Sequence, residues 1–132
     1  PGFGAFWGEV QTHVHAGLGC VGAVTDGSMR DLDACAPDFQ LLAGSVGPSH
    51  AWVHLVEIGV VVDVHGMRVR DGDLVHADRH GAVVVPPHAL DALPATIERL
   101  ARKEAVILDA AKSPDFDLAA LKAAMERAAA TE

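Results

Sequence analysis

The sequence contains few cysteines, no long apolar run and no cluster of basic residues. Only two cysteines occur, Cys20 and Cys35, and they form no CxxC pair or recognisable zinc-ligand set. Cys20 lies in an apolar run and is expected in the core, and such cysteine usage is typical of a reduced, cytoplasmic compartment. No stretch of about 18 apolar residues is present, so no membrane-spanning helix is predicted, and no signal peptide is visible.

The charge balance argues against large anionic partners. The chain of 132 residues has a formal net charge of −8, and its ten basic residues are scattered. We therefore expect no binding to nucleic acid and none to an anionic membrane. Half of the residues are hydrophobic, which predicts a packed globular protein long enough for a real core. A small anionic substrate would need a metal ion, an arginine or backbone amides to hold it.

Helix-like and strand-like patterns alternate in the first part of the chain. Phe6, Val10 and Val14 recur at helical spacing and predict a helix over residues 5–16. Residues 20–25 form a short apolar run that is typical of a buried parallel strand. The segments predicted next are a turn at 26–28, a short helix at 31–36 and a strand at 39–43. This alternation predicts the α/β class.

The remainder reads as short strands followed by helices. His65-Gly66 predicts a tight hairpin between the strands 60–64 and 67–69. Further strands are predicted at 52–56, with Trp52 in the core, at 74–77 and at 82–85. Amphipathic helices are predicted at 90–109, with Leu93, Ile97, Leu100 and Val106-Ile107 toward the core, and at 117–130, with an alanine-rich face suited to packing. One domain covering residues 1–132 is the simplest organisation.

Three residues carry the candidate chemistry. Glu9 lies near the start of the first helix, and Arg30 and Asp31 follow the loop after the buried strand, with twenty residues between Glu9 and Arg30. In α/β sheets, ligands bind beyond the carboxyl ends of the strands, where such loops meet. Two carboxylates can hold a divalent cation, and an arginine can bind a substrate carboxylate through two hydrogen bonds. The amides of Val10 and Gln11, near the helix N-terminus, can accept the same anion.

Simpler interpretations of these residues remain open on pattern alone. Arg30-Asp31 after a strand is often a solvated turn, and a glutamate at a helix start often only stabilises the helix dipole. His13 and His15 do not share a helix face, and His76 and His80 flank a turn, so neither pair predicts a metal site. Phe6 and Trp7 are expected to pack at the helix start.

Two long segments resemble the RraA-like family. The first is residues 19–31 (GCVGAVTDGSMRD), similar to the family's signature segment. The second is residues 66–86 (GMRVRDGDLVHADRHGAVVVP), which resembles a Gly-x-x-Val-x-Pro-Gly-Asp stretch running into Asp-x-x-Gly-x-x-x-x-Pro. Asp71 stands where proline is usual. The resemblance runs from Gly8 to about the mid-nineties of the numbering, with both motifs in the family's order.

The resemblance implies a layered α/β domain of the swivelling β/β/α, phosphohistidine-domain-like type. The family's domain begins well upstream, and Pro1-Gly2-Phe3-Gly4 reads as a loop entering a structure already under way, so the N-terminal part is expected to be missing. Family members form trimers or hexamers with sites near subunit contacts. A homo-oligomer is therefore expected, with a neighbouring chain as the source of the proton donor.

The resemblance also implies a reaction, that of 4-hydroxy-4-methyl-2-oxoglutarate (4-carboxy-4-hydroxy-2-oxoadipate) aldolase. In the family's aldolases an acidic residue is followed, after twenty residues, by Arg-Asp, and Glu9, Arg30 and Asp31 match that pattern. Asp31 would bind Mg²⁺ (or another divalent cation such as Mn²⁺) directly, and Glu9 would bind it through water. Arg30 and the amides of Val10 and Gln11 would hold the pyruvate end of an oxo-acid substrate. Oxaloacetate decarboxylation passes through the same enolate and is implied as well.

The alternative within the family is a regulator that inhibits ribonuclease E. The best-known regulators lack the aspartate after the arginine, so Asp31 favours the enzyme. Glu9 stands where the best-known aldolases have aspartate. Its longer side chain is expected to shift the metal-bound waters and so to change substrate preference. No lysine lies in either motif, which argues against a Schiff-base aldolase.

Overall fold

A computed structural model describes residues 3–131 and divides the chain into two compact units, one ending at Val85 and one beginning at Pro86. The first two residues of the predicted entry loop lie outside the described part. The single-domain organisation stays a prediction. Helices and strands are mixed, which confirms the α/β class. The regular elements in chain order are β1 (Ala5–Trp7), α1 (Glu9–Gly17), β2 (Gly22–Met29), β3 (Gln40–Val46), β4 (Val62–Val64), β5 (Met67–Val69), β6 (Leu74–Asp78), β7 (Gly81–Val85), α2 (Leu93–Ala111) and α3 (Leu118–Ala130).

A three-stranded parallel sheet in the order β1-β2-β3 forms the base of the first unit. Trp7 pairs with Met29, and Met29 pairs with Val46, so all three strands end at one edge of the sheet. Residues that directly follow β1 and β2 therefore meet at this carboxyl edge. Beside the sheet, the ring of Trp7 stacks on the buried ring of Phe39, with centroids 5.6 Å apart.

The predicted helix over residues 5–16 was wrong at its start. Ala5–Trp7 form a strand because they pair with β2, and α1 begins only at Glu9. Phe6 and Trp7 consequently lie on β1 rather than at the helix start. Val10 and Val14, two of the residues whose spacing predicted the helix, do lie in α1. Phe6 has the same spacing but lies on the strand.

The predicted turn at 26–28 was also wrong, because β2 continues through it to Met29. The pairing register with β3 shifts between Thr25 and Ser28, so the strand absorbs Asp26 and Gly27 as an irregularity. The Thr25 hydroxyl accepts a hydrogen bond from the Gly27 amide at 3.1 Å. The turn-forming residue types Asp26 and Gly27, which predicted a turn, therefore lie at a bulge within the strand.

Two residues expected in the core are exposed. Cys20 lies between α1 and β2, and its amide donates a hydrogen bond to the carbonyl of His15 in the last turn of α1, at 2.9 Å. Trp52 is fully exposed, and residues 51–57 form no regular structure, so the strand predicted at 52–56 was wrong. Within the described residues, no strand pairs with this segment. Just before it, His50 forms an isolated bridge with Ala5 of β1.

The hairpin predicted at His65-Gly66 is confirmed, and the strands predicted at 74–77 and 82–85 pair as a second hairpin. His65 and Gly66 join β4 to β5 with positive φ angles of 50° and 83°, the conformation that two-residue hairpin turns require. In the hairpin of β6 and β7, the Asp78 carboxylate accepts the His80 amide at 2.8 Å. The pKa of Asp78 is lowered, first by this backbone hydrogen bond and then by the hydrogen bond from the His80 ring.

The second unit consists of a short 3-10 helix, Pro87–Ala92, followed by α2 and α3, which pack on each other. Ala124 and Ala128 are buried, so the alanine-rich face of α3 is a packing face, as predicted. Ile97 and Leu100 were expected in the core but are at least half exposed. Within this unit α3 packs on one side of α2, and these two side chains are not covered by it. No helix among residues 3–131 combines the length and apolar character needed to cross a bilayer.

Candidate active site at the carboxyl edge of the sheet

The three predicted site residues come together where β1 and β2 end. The Arg30 amide donates to the carbonyl of Trp7 at 3.0 Å, which holds the two strand ends side by side. The Glu9 amide donates to Oδ2 of Asp31 at 3.3 Å, and Nε of Arg30 lies 3.4 Å from the same oxygen. The carboxylate of Asp31 therefore lies between the first amide of α1 and the arginine side chain.

The backbone at Asp31 has the left-handed conformation, with φ of 54° and ψ of 42°. Aspartate tolerates this region better than most residues, but it is still an unusual conformation outside glycine. The Asp31 carbonyl accepts hydrogen bonds from the amides of Ala34 and Cys35, at 2.9 and 3.0 Å, which stabilise the bend. The chain thus turns sharply immediately after β2, with the carboxylate held at the start of a short 3-10 helix, Leu32–Ala34.

Gly8 provides the space for this arrangement. It is buried, and its φ of −171° is an extended conformation that any residue adopts. A Cβ at this position would lie 2.5 Å from Oδ2 of Asp31 and 2.9 Å from Cγ of Arg30. Sequence reasoning missed Gly8, although a glycine directly before the candidate acidic residue, at the end of a strand, is a recognisable signal of close approach.

Arg30 retains an unused hydrogen-bond donor. Its Nε is buried, yet it has no hydrogen-bond partner among residues 3–131. At 3.4 Å from Oδ2 of Asp31, Nε forms an ion pair but no hydrogen bond. A buried donor without a hydrogen bond is costly, so Nε depends on the Asp31 carboxylate for its compensation. The side chain as a whole is 31% exposed, so other atoms of Arg30 reach the surface, where an anion can contact them.

Backbone amides at the start of α1 add further donors. The first backbone hydrogen bond of this helix runs from Thr12 to the carbonyl of Gly8, at 3.0 Å. The amides of Val10 and Gln11 precede it and have no helical acceptor. They belong to the same first turn as the Glu9 amide, which contacts Asp31. The amides of Val10 and Gln11 thus follow the Glu9 amide in the turn of α1 that starts beside Asp31, and their binding of an anion stays a prediction.

The predicted metal ligands are two carboxylates, those of Asp31 and Glu9. No group of three or more His, Cys, Asp or Glu side chains suited to a metal occurs in the described part of the chain. Mg²⁺ usually keeps several waters and binds one or two carboxylates. Oδ2 of Asp31 already faces the Glu9 amide and Arg30, so a direct metal bond from this side chain would use Oδ1. The Glu9 side chain is exposed, and its contact with a metal through water stays a prediction.

A cavity of the first unit lies away from this edge of the sheet. It measures about 550 Å³ and is lined by residues at the starts of β2 and β3, among them Gly22 and Gln40, and by Val75 and Arg79. These positions are at the opposite ends of the strands from Arg30 and Asp31. This cavity is therefore separate from the candidate site.

Comparison with known proteins places the chain. The model of the RraA-like family, described as Aldolase/RraA, matches residues 2–84, and this stretch contains every candidate site residue. The chain therefore belongs to the RraA-like family, which includes both aldolases with decarboxylase activity and regulators. This confirms the family and the layered α/β fold that the two motifs indicated.

One solved structure has the same fold. It is an uncharacterized protein from Pseudomonas syringae pv. tomato str. DC3000, 26% identical, with a TM-score of 0.69. The match covers 92% of this chain and 60% of that one, so the chain spans about three fifths of the length of this relative. No curated protein matches the sequence.

Proposed function

We propose that this chain carries the catalytic residues of a class II, divalent-metal-dependent lyase. Its substrates are acids of the 4-hydroxy-4-methyl-2-oxoglutarate type, cleaved to pyruvate by retro-aldol reaction, and oxaloacetate, decarboxylated at the same site. The observation that carries the proposal is the ion pair of Asp31 and Arg30 at the carboxyl edge of the sheet, with Nε of Arg30 3.4 Å from Oδ2 of Asp31. The Asp31 carboxylate can bind a cation, and the neighbouring Arg30 guanidinium can donate hydrogen bonds to an anion. This pairing suits an α-keto acid bound with a metal ion.

Each residue has a defined task in the proposed reaction. Arg30, with the amides of Val10 and Gln11, binds the carboxylate and keto oxygen of the pyruvate end. Asp31 holds Mg²⁺ (or Mn²⁺) directly, and Glu9 holds it through water. When bound, the cation supplies a Lewis acid that withdraws electrons from the keto oxygen.

The bond that breaks joins the hydroxyl-bearing carbon to the carbon next to the keto group. The hydroxyl gives its proton to a solvent water molecule, its carbon becomes a carbonyl, and the electron pair of the broken bond forms the enolate of pyruvate. The guanidinium of Arg30 stabilises the negative charge as it develops on the enolate oxygen. A proton then adds to the enolate carbon, and we propose that a neighbouring chain supplies this donor.

The test is a coupled assay of pyruvate release with 4-hydroxy-4-methyl-2-oxoglutarate or oxaloacetate. We expect turnover that requires Mg²⁺ and stops with EDTA, measured against a blank of metal and substrate without protein. Asp31→Asn should remove this turnover, whereas Asp33→Asn, an exposed neighbour on the 3-10 helix, should retain it. Equal turnover in the Asp31→Asn and wild-type proteins would overturn the proposal.

The alternative in the family is a regulator of ribonuclease E, which would act through protein contact without metal. A metal-independent complex with a ribonuclease or helicase, together with absent turnover, would favour it. Asp31 beside Arg30 argues for the enzyme.

A homo-oligomer, trimer or hexamer, is part of the proposal. Large apolar side chains at Trp52, Leu55, Val56 and Ile58 are exposed in a segment without regular structure, and contiguous apolar surface of this kind is often covered by another chain. Light scattering after gel filtration would measure the assembly. A cytoplasmic location is proposed as well, supported by Cys20 and Cys35, which form no disulfide.

A further inference from the structure

Thr12 is the largest fully buried polar side chain of the first unit, and its hydroxyl joins two segments of the candidate site. Its exposed fraction is 0%. Oγ1 lies 2.9 Å from the carbonyl of Gly8 and 3.0 Å from that of Glu9, to which the hydroxyl donates. Oγ1 also accepts a hydrogen bond from the amide of Ala36 at 3.0 Å.

The third hydrogen bond separates Thr12 from an ordinary helical threonine. Threonines in helices commonly donate to a carbonyl three or four residues earlier, and such a bond needs no tertiary partner. The bond from Ala36 instead spans 24 residues and reaches the segment directly after the 3-10 helix that Asp31 begins. One hydroxyl therefore uses its proton on the first turn of α1 and its lone pair on the loop that carries Arg30 and Asp31.

Both segments would lose their fixed spacing without this hydroxyl. The Ala36 amide is buried with Oγ1 as its acceptor, and a buried donor that loses its partner carries a large desolvation penalty. On the helix side, the Glu9 amide contacts Asp31 at 3.3 Å, so a small shift of α1 alters that contact directly. Supporting residues of this kind typically change metal affinity or activity by about 10–100-fold when they are altered.

We propose that Thr12 is a positioning residue, which sets the distance between the amides at the start of α1 and the Arg30-Asp31 pair. Its role rests on the proposed lyase function. Thr12 itself does not contact the reacting atoms; it acts through the main chain of Gly8, Glu9 and Ala36.

The test compares Thr12→Val, which keeps the shape and removes the hydroxyl, with Thr12→Ser, which keeps the hydroxyl. We expect Thr12→Val to lower kcat/KM for pyruvate release by about 10–100-fold, mainly through kcat, and Thr12→Ser to restore it to within about threefold. Thr131→Val is the matched control, because Thr131 also donates to a carbonyl four residues earlier but lies in the second unit. It should leave kcat/KM unchanged.

Amide hydrogen exchange provides a measurement that does not depend on turnover. In Thr12→Val the amides of Glu9 and Ala36 should exchange at least about tenfold faster than in the wild type, and Thr12→Ser should restore their protection. Unchanged exchange at both amides would overturn the proposal, as would equal losses of kcat/KM in the Val and Ser variants. If the wild type releases no pyruvate, the lyase proposal fails and the exchange result alone decides the role of Thr12.

The wild type also gives a result if Thr12→Val does not fold. The Ala36 amide should then be protected as strongly as the amides inside α1. Exchange of Ala36 as fast as that of the exposed Asp38 amide would contradict the inference.

Discussion

Replacement of Gly8 by alanine should disable the site with little change to the rest of the fold. The backbone at Gly8 is extended, so alanine adopts it without strain. The added methyl group, however, would lie 2.5 Å from Oδ2 of Asp31 and 2.9 Å from Cγ of Arg30. Non-bonded heavy atoms prefer separations of about 3.5–4.0 Å, so the carboxylate must move by roughly 1 Å.

The expected loss follows from that displacement. A shift of about 1 Å in a catalytic group can reduce the rate about a hundredfold, which corresponds to about 2.7 kcal/mol of transition-state stabilisation. Overpacking usually costs about 1–3 kcal/mol of folding stability. The lower end applies here, because the Asp31 side chain is 39% exposed and can swing toward solvent. Activity should therefore fall much further than stability.

The assay measures kcat/KM for pyruvate release and the melting temperature of wild type, Gly8→Ala and Gly17→Ala. Gly17 ends the same helix, and an added Cβ there meets no atom within 4 Å. Gly17→Ala should retain full activity and gain up to about 1 kcal/mol of stability, since alanine loses less backbone entropy. If Gly8→Ala retains kcat/KM within about threefold of wild type, the reasoning about the packed carboxylate is refuted.

Further substitutions separate binding from packing. Arg30→Lys keeps the charge but loses the planar fork, so KM for the keto acid should rise about ten- to a hundredfold in the pyruvate assay. Glu9→Gln should weaken Mg²⁺ activation about 10–100-fold in a metal titration, with the melting temperature unchanged because this side chain is exposed. Ala124→Leu should destabilise the protein by about 1–3 kcal/mol in thermal unfolding, because Ala124 is fully buried, whereas exposed Ala123→Leu should stay within about 0.5 kcal/mol.

Local patterns predicted elements where a single physical cause determines the structure. His65-Gly66 specified a hairpin, because two successive positive φ angles suit few other residue pairs. Asp117 also begins α3 as expected from its residue type, since its carboxylate accepts the Ala120 amide at 2.7 Å. In both cases the deciding interactions lie within four residues of each other, so the sequence alone contains the cause.

Long-range pairing could not be read from the same patterns. Ala5–Trp7 become a strand only because β2 lies beside them, and Asp26-Gly27 stay within a strand only because the register with β3 shifts there. Trp52 was expected to be buried on hydrophobicity alone, which says nothing about whether a neighbouring element covers it. These errors share one cause, since each depends on a partner distant in sequence.

The candidate site shows the same division. Residue type and spacing suggested Glu9, Arg30 and Asp31, and the resemblance to the RraA-like family selected them over simpler interpretations. Their positions after β1 and β2 place them together at the carboxyl edge. Their roles stay predictions. Gly8 and Thr12 were missed, because their contributions are a space and a set of three hydrogen bonds that exist only in the folded chain.

The hydrogen bonds that support the candidate site do not depend on the side chains that carry its chemistry. Thr12 bonds only main-chain atoms, so a different side chain at position 31 would leave all three of its hydrogen bonds in place. The scaffold can therefore serve enzymes and regulators of one family alike, since function depends on the site built onto a fold. The tightest contact of a Cβ at Gly8 is with a carboxylate oxygen of Asp31. A chain without that carboxylate would still have the 2.9 Å contact with Cγ of Arg30, so the space at Gly8 accommodates both side chains of the Arg30-Asp31 pair.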